Sequence, residues 1–489
     1  MKKLMMTLCA VGLMFAGCNK QSGEDNPLLQ KWDTPFETAP FEKIKVEHYL
    51  PAFEAAIAEH DKEIQAIIDN AEAPTFDNTI AALDYSGETL SKVAGVFFNM
   101  MAANTSEELQ KVNEKVGPMM ATHSDNVSMN AKLFEKIKVV YDAKDSQKYT
   151  EEQLALLEKT YNKFVRSGAL LDAAKQEELR KVNAELTKVE AKFDANLLKE
   201  TKAYQLVVEK EEDLKGLPQG EKEKAAALAK SEGKEGKWIF TLDNPSFIPF
   251  VTYADNRDLR KEIFNARVNR CNNGGETDNN ALVAQMAELR AQKAQILGYE
   301  TFAHYQLEER MAKEPKAVFS LLENLLSYSV KVAKEEAKEF QTLLSKDVPG
   351  ATLEAWDMYY YAEKVRQQKY NFDAELTRPY FEINNVRQGC FDVLTKLYGI
   401  SFTERKDVSV YAEDVLVFEA KNEKGEHVGI LYWDPYTRAS KGGGAWCNEY
   451  RGQSRKDGKN ITPVITVCFN YAKSPNGATT LTADEALTV

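Results

Sequence analysis

Over residues 35–200 and again over 251–407 apolar side chains recur at steps of three and four, and this periodicity limits the chain more than any other feature does. Phe53, Ile57, Ile64, Ile67 and Ile68 form one stripe, with His60 inside it. Leu83, Leu90, Val93, Phe97 and Met100 form a second, and Leu179, Val182, Leu186, Val189, Phe193 and Leu197 a third. Such spacing puts the apolar residues on one face of a helix, which must pack against another element to leave water. The fold class expected is therefore mainly α.

Helix limits follow from end signals. Thr150 and Gln153 have capping-box spacing, Asp172 suits an N-cap, and Pro51 suits a first helical position. A helix after Thr105 is expected to break near Gly117-Pro118, and Pro245–Pro249 to interrupt the chain. Further helices are expected over Tyr253–Arg270, Asn279–Leu297, Lys316–Leu344 and Trp356–Lys369. Tyr204–Glu209 and Trp238–Leu242 alternate and are expected to pair as strands around a charged helix within Pro218–Lys234. From about Val408 the texture changes to short strands, Val415–Ala420, His427–Trp433 and Val464–Phe469. The organisation expected is a helical region over 35–200, a small strand-containing insertion over 201–250, a second helical region over 251–407 and a last region with a small β-sheet over 408–489.

The N-terminus has another character. Lys2-Lys3, the apolar run Leu4–Ala16 and Phe15-Ala-Gly-Cys18 have the layout of a bacterial lipoprotein signal. Residues 1–17 are expected to be removed and Cys18 to carry lipid, with 18–34 as a tether. That places the protein in a bacterial cell envelope, lipid-anchored on the periplasmic side. The formal charge of −12 disfavours nucleic acid as a partner, because phosphate binding needs a basic patch. Cys271, Cys390, Cys447 and Cys468 are far apart and form no C-x-x-C, so free thiols are expected.

Few residues invite chemistry. No histidine is followed by Glu, so H-E-x-x-H is absent, and no two of the five histidines lie three or four apart. His60 reads as a core or boundary histidine, His48 as a cap, and His427 as solvated. Lys441-Gly-Gly-Gly444 lacks the Ser/Thr and the helix of a phosphate loop. What remains is Trp433-Asp-Pro-Tyr-Thr-Arg438 leading into those glycines. A backbone bare of side chains permits close approach of a second, extended chain. Asp434 and Arg438 are placed to brace the turn; the plainer alternative is a flexible glycine loop with a surface ion pair. Near the C-terminus Thr482 and Glu485 repeat the capping-box spacing, so a helix is expected from about Ala483.

Several stretches taken together resemble one family. They are Pro40–Pro51, Phe164–Leu171, Lys293–Tyr299 with Met311-Ala-Lys313, Trp356-Asp357 with Tyr360–Arg366, Arg378–Glu382, and Asp434-x-x-x-Arg-x-x-Lys-x-Gly-Gly-Ala445. From about Pro35 to Val489 the chain resembles the M3 family of zinc oligopeptidases, in its bacterial peptidyl-dipeptidase (dipeptidyl carboxypeptidase) and oligopeptidase A-like branch. The resemblance implies a large, two-lobed, multi-helix shell around a deep channel, monomeric when complete, with a small late β-sheet. It implies a zinc-dependent peptidase that acts on short peptides and releases C-terminal dipeptides.

In that family the helix capped as at Thr482 runs into H-E-x-G-H, which supplies two zinc ligands and the catalytic Glu. Those positions are expected beyond Val489, so the catalytic lobe is expected to be incomplete. No catalytic residue and no metal ligand carries over, zinc is expected for the full-length protein only, and this chain alone is expected to be inactive. Asp434, Arg438, Lys441, Gly443, Gly444 and Ala445 carry over as a substrate-binding wall. The other reading, from a different class, is a lipid-anchored helical protein that binds peptides or acts as a scaffold without catalysis.

Overall fold

The computed structural model describes residues 26–475 and 477–489, so the signal segment and Cys18 lie outside the described residues. It is mainly helical, with one small mixed sheet near the C-terminal end.

The first helices are α1 (Val46–Asp69), the single turn α2 (Ala82–Asp84), α3 (Glu88–Ala103) and α4 (Glu107–Ser128). α1 starts one turn before Pro51: His48 caps it by accepting from the Lys45 N–H at 3.1 Å. Pro51 is thus inside the helix, contrary to its expected first position. Burial of Tyr49, Phe53 and Ala56 outweighs the one main-chain hydrogen bond that the proline removes. α4 likewise runs through Gly117-Pro118 without a break. Ser106 caps its start, and buried Leu109, Val116 and His123 anchor the turns on both sides.

α5 (Ala131–Asp142), α6 (Glu151–Arg166) and α7 (Ala173–Ala203) follow. Thr150 with Gln153, and Asp172, cap α6 and α7 as their spacing predicts. β1 (Leu206–Val208) and β2 (Trp238–Phe240) pair antiparallel around α8 (Gln219–Ser231). α9 (Asn244–Tyr253) corrects the expected interruption: Pro245 sits in its first turn, where no N–H is needed, and Pro249 is carried inside. Asn256 then caps α10 (Arg257–Val268), so the helix expected over Tyr253–Arg270 forms but begins four residues later than expected. α11 (Asn280–Ile296) sets Leu289 and Ile296 against the Leu179–Val189 stripe of α7. α12 (Phe302–Leu307), α13 (Pro315–Asp347), α14 (Met358–Tyr370) and α15 (Ile383–Tyr398) complete the helical part.

The sheet comprises β3 (Ser401–Glu404), β4 (Leu416–Lys421), β5 (His427–Tyr436), β6 (Trp446–Arg451) and β7 (Val464–Tyr471) in the order β3-β4-β5-β7-β6. Only β5 and β7 run parallel. Alternation along β5 explains its place. Ile430 and Tyr432 join a core with Phe53, Phe97 and Val116 of the N-terminal helices, whereas Leu431 and Trp433 face Ile383 and Phe391 of α15. A strand covered on both faces reads as an unbroken apolar run, as Ile430–Trp433 does. β3 and β6 were not expected; they are edge strands with polar residues and no clean alternation. His427 is not solvated: it stacks on Phe36 and bonds Glu419 at 3.2 Å and Thr462 at 3.1 Å.

The tether expected over 18–34 does not extend into residues 26–34. Leu28 is fully buried in the main core, and Asn26 bonds the His48 carbonyl at 2.8 Å. α16 (Ala483–Thr488) begins at the Thr482–Glu485 capping box, with both reciprocal bonds made. Bare apolar surface is found mainly on the first half of α13, at Phe319, Leu322, Leu325 and Leu326, and on α15 at Leu397 and Tyr398. β7 pairs with β5 and β6 along its two edges, and its Val464, Phe469 and Tyr471 are buried in the cores on its faces. No helix among the described residues is long and apolar enough to cross a membrane. The four described cysteines are free, Cys271 and Cys468 buried and Cys447 exposed.

Candidate functional site

The loop after β5 is built from the inside outward. Asp434 is fully buried at the end of the strand. It accepts from Arg438 at 2.5 and 2.8 Å, from the Tyr411 hydroxyl at 2.7 Å and from Lys441 at 2.9 Å. Lys441 is fully buried too, and its ammonium also donates to the carbonyls of Asp434 and Tyr436, each at 3.0 Å. Burial pushes the Asp434 carboxyl up, but the Arg438 hydrogen bond and the Lys441 charge outweigh it and hold it below the usual aspartate range. The pairing read from the i, i+4 spacing is therefore real, but it is a buried triad and not a surface ion pair.

This triad fixes where the glycines go. Arg438 also donates to the Ala103 carbonyl at the end of α3, at 2.7 Å. The Gly442 N–H donates to the Ala102 carbonyl at 2.8 Å, and Asn470 donates to the carbonyls of Gly442 and Gly444 at 2.8 and 2.7 Å. Gly444 has φ +94°, a conformation in which a Cβ would be strained. The glycine backbone is pinned on two sides and exposes no side chain.

Gly442, Gly443 and Gly444 form one wall of a cavity of about 1170 Å³. The cavity is also lined by Met101, Gln110 and Glu114 of α3 and α4, Lys188, Lys192 and Asp194 of α7, and Arg267 and Arg270 at the end of α10. The volume exceeds the roughly 300–1,000 Å³ of a small-molecule pocket. Five cations (Lys188, Lys192, Lys202, Arg267, Arg270) and three acids (Glu114, Asp194, Asp243) line it, so this cleft is cationic in an acidic chain. Of the residues expected as substrate contacts, Gly443 and Gly444 reach the cavity. Asp434 and Lys441 are sealed beneath it, Arg438 is tied to α3, and Ala445 is exposed outside the lining. The cavity arginines carry no sequence signal: their partners, such as Thr201 for Arg270, lie up to 69 residues away.

The zinc that the M3 resemblance implies finds no donor set here. No group of three or more His, Cys, Asp or Glu side chains suited to a metal comes together among the described residues. The nearest approach is between α1 and α4, where His60 Nδ1 and His123 Nε2 are 2.8 Å apart. Those histidines are far apart in sequence, yet their rings meet, and their other nitrogens bond Ser86 at 3.0 Å and Asp61 at 3.2 Å. They satisfy one another and leave no lone pair facing a vacant coordination position.

Residues 250–489 match the profile of Peptidase family M3. The dipeptidyl carboxypeptidase of Salmonella typhimurium is 34% identical over 453 residues, covering 92% of this chain and 66% of that protein. That of Escherichia coli is 33% identical over the same coverage. Oligopeptidase A of Escherichia coli is 31% identical over 471 residues, 95% of this chain and 68% of its own. The chain thus spans about two thirds of the length of these relatives. A likeness that runs through the N-terminal helices, the cavity wall and the glycine loop alike means that this chain belongs to peptidase family M3.

Proposed function

We propose that the cavity is the wall of a peptide cleft in a zinc-dependent peptidase that acts on short peptides and releases C-terminal dipeptides. The observation that carries this is the pinned backbone of Gly442–Gly444 along one side of a 1170 Å³ cavity. An extended peptide can lie close to such a wall because no Cβ intervenes. The part of this chain's residues is to bind and align: the cationic lining attracts a peptide's negative groups, and no bond-breaking step is assigned to them. Short labelled peptides are expected to bind the purified chain, with binding weakened by Gly443→Val, which fills the wall without touching the buried triad. Equal binding by that variant would sink the reading.

The 489 residues hold no H-E-x-x-H, so the polypeptide by itself is proposed not to hydrolyse peptides. One zinc per chain together with peptidase activity in the pure material would overturn that. Cys18 is proposed to carry the lipid that holds the protein to the periplasmic side of a bacterial membrane. Incorporation of labelled palmitate that persists in Cys18→Ser would refute this.

A further inference from the structure

A second cavity, of about 400 Å³, lies between the end of α6, α7, α11 and α12, away from the glycine wall. Leu186 and Glu190 of α7 line it, whereas Lys188 and Lys192 of the same helix line the cleft. Lys163, Arg166, Arg290 and Lys293 face this second space, against Glu190 and Glu309. The two acids are already taken. Glu190 accepts from Arg290 at 2.7 Å, and Glu309 stands 3.5 Å from Arg166, which also donates to Glu308 and, at 2.7 Å, to the Tyr305 carbonyl. The two lysines are left over. The Lys293 ammonium lies 5.8 Å from the centre of the Tyr305 ring, and among the described residues it makes no hydrogen bond or ion pair. Lys163, at the exposed rim, makes none either. Burial lowers Lys293 from its ordinary value; the charges of Asp125 and Glu190 oppose this without pairing with it, and Asp125 is itself bonded to Asn183 at 2.9 Å. The Ser167 hydroxyl and the Gln306 amide line the same space, also without a partner among the described residues.

Two uncompensated ammonium groups call for two negative charges. A carboxylate brings one, whereas a phosphate monoester brings about two, on three strong acceptor oxygens, and lysine is a compact point charge suited to it. The volume falls within the roughly 300–1,000 Å³ of a small-molecule pocket, so there is room for more than the phosphate. We propose that Lys163 and Lys293 hold the phosphate of a small phosphate monoester, with its organic part against Leu186, Phe302 and Tyr305. This site is separate from the peptide cleft and does not rest on that reading.

The test is calorimetric titration of the whole 489-residue chain with phenyl phosphate, inorganic phosphate and phenol. Phenyl phosphate is expected to saturate one site, inorganic phosphate to bind it more weakly, and phenol not to bind. Lys293→Met is expected to weaken phenyl phosphate at least about tenfold, the size of one charge-assisted hydrogen bond. Without ligand its melting temperature should match or exceed that of the unmodified chain, because an uncompensated, partly buried charge has been removed. Lys163→Met, at the exposed rim where folding is not in question, is expected to weaken binding several-fold. Arg270→Gln, in the cleft, is expected to bind phenyl phosphate unchanged. Absence of saturable binding, undiminished binding in Lys293→Met, or loss of binding in Arg270→Gln would overturn the proposal. Equal affinity for inorganic phosphate would overturn the assignment to a monoester.

Discussion

Asp357 and Asp434 are both fully buried, and each is gripped by two cations, yet the two clusters do different things. Asp357 accepts from Arg257 at 2.7 and 3.0 Å and from Arg260 at 3.1 Å, partners 97 to 100 residues away. Arg260 is itself buried, lies 3.9 Å from the centre of the Tyr360 ring and donates to the Ala254 carbonyl at 2.7 Å. That cluster clamps α10 to the turn before α14. The cationic partners of Asp434 are four and seven residues on, and they are shared with main-chain carbonyls. A long-range ionic cluster joins elements; a short-range one shapes a loop. The consequences of breaking each therefore fall on different observables.

The largest effect is expected at the clamp. Asp357→Asn leaves the buried Arg260 without its counter-charge and should lower stability by about 3–5 kcal/mol, read as a shifted urea midpoint with unchanged slope. A loss below about 1 kcal/mol would show that the clamp is no more than a surface-type pair. Asp434→Asn is expected to cost about 2–4 kcal/mol, less because Lys441 keeps two carbonyl acceptors. It should also weaken peptide binding, which Asp357→Asn should leave alone. Adding Lys441→Met should restore much of the stability, since apolar replacement of a buried pair is often neutral, but not the binding.

Acid separates both clusters from the histidine pair. Asp357 and Asp434 are held below the ordinary value of 3.8 despite burial, by their arginine hydrogen bonds. Their contribution is complete above about pH 4 and is lost as pH falls through the lowered values. His60 is held below 6.5 by burial first and by His123 second, with Glu63 and Asp61 opposing. The folded state therefore resists its protonation, and stability should decline as pH falls from about 6.5. Melting temperatures between pH 7 and 5 should show a slope that His60→Gln removes and that Asp357→Asn does not.

The smallest effect tests a local helix cap. Thr482→Ala removes a cap worth roughly 0.5–2 kcal/mol to its own helix. It should speed amide exchange across Ala483–Val489 without moving the global transition. A shifted global midpoint would mean that α16 is coupled to the core more strongly than its six residues suggest.

The same contrast between short and long range governs what the sequence could reveal. Thr150 with Gln153, Asp172, Thr482 with Glu485, and Asp434 with Arg438 were legible because each partner lies three or four residues away. The stripes of α1 and α7 were legible for the same reason. Pro51, Pro118 and Pro249 misled because burial of neighbouring side chains, a tertiary effect, outweighs one lost hydrogen bond. β3 and β6 were missed because an edge strand is defined by its partner and not by its own alternation. In the candidate site the glycine wall was readable as bare backbone. The burial of Asp434 and Lys441, the meeting of His60 with His123, and the arginines of α10 depend on contacts that no local spacing encodes.

The main core closes a long circuit. Asn99 on α3 bonds the Glu449 carbonyl of β6 across 350 residues, and Phe53 and Phe97 share a core with Tyr432, Tyr450 and Val464. β7, the last of these five strands to be made, is the one that slides between β5 and β6. At roughly 5–20 residues per second, a ribosome needs on the order of 20–70 s to travel from Asn99 to its partner. Throughout that interval α1, α3 and α4 can pack on one another, but the apolar surface that meets Tyr432, Tyr450 and Val464 stays uncovered, and the sheet cannot close until β7 emerges. This protein's birth therefore includes a waiting period, in which a holding chaperone that shields the uncovered surface should raise the yield of folded chain.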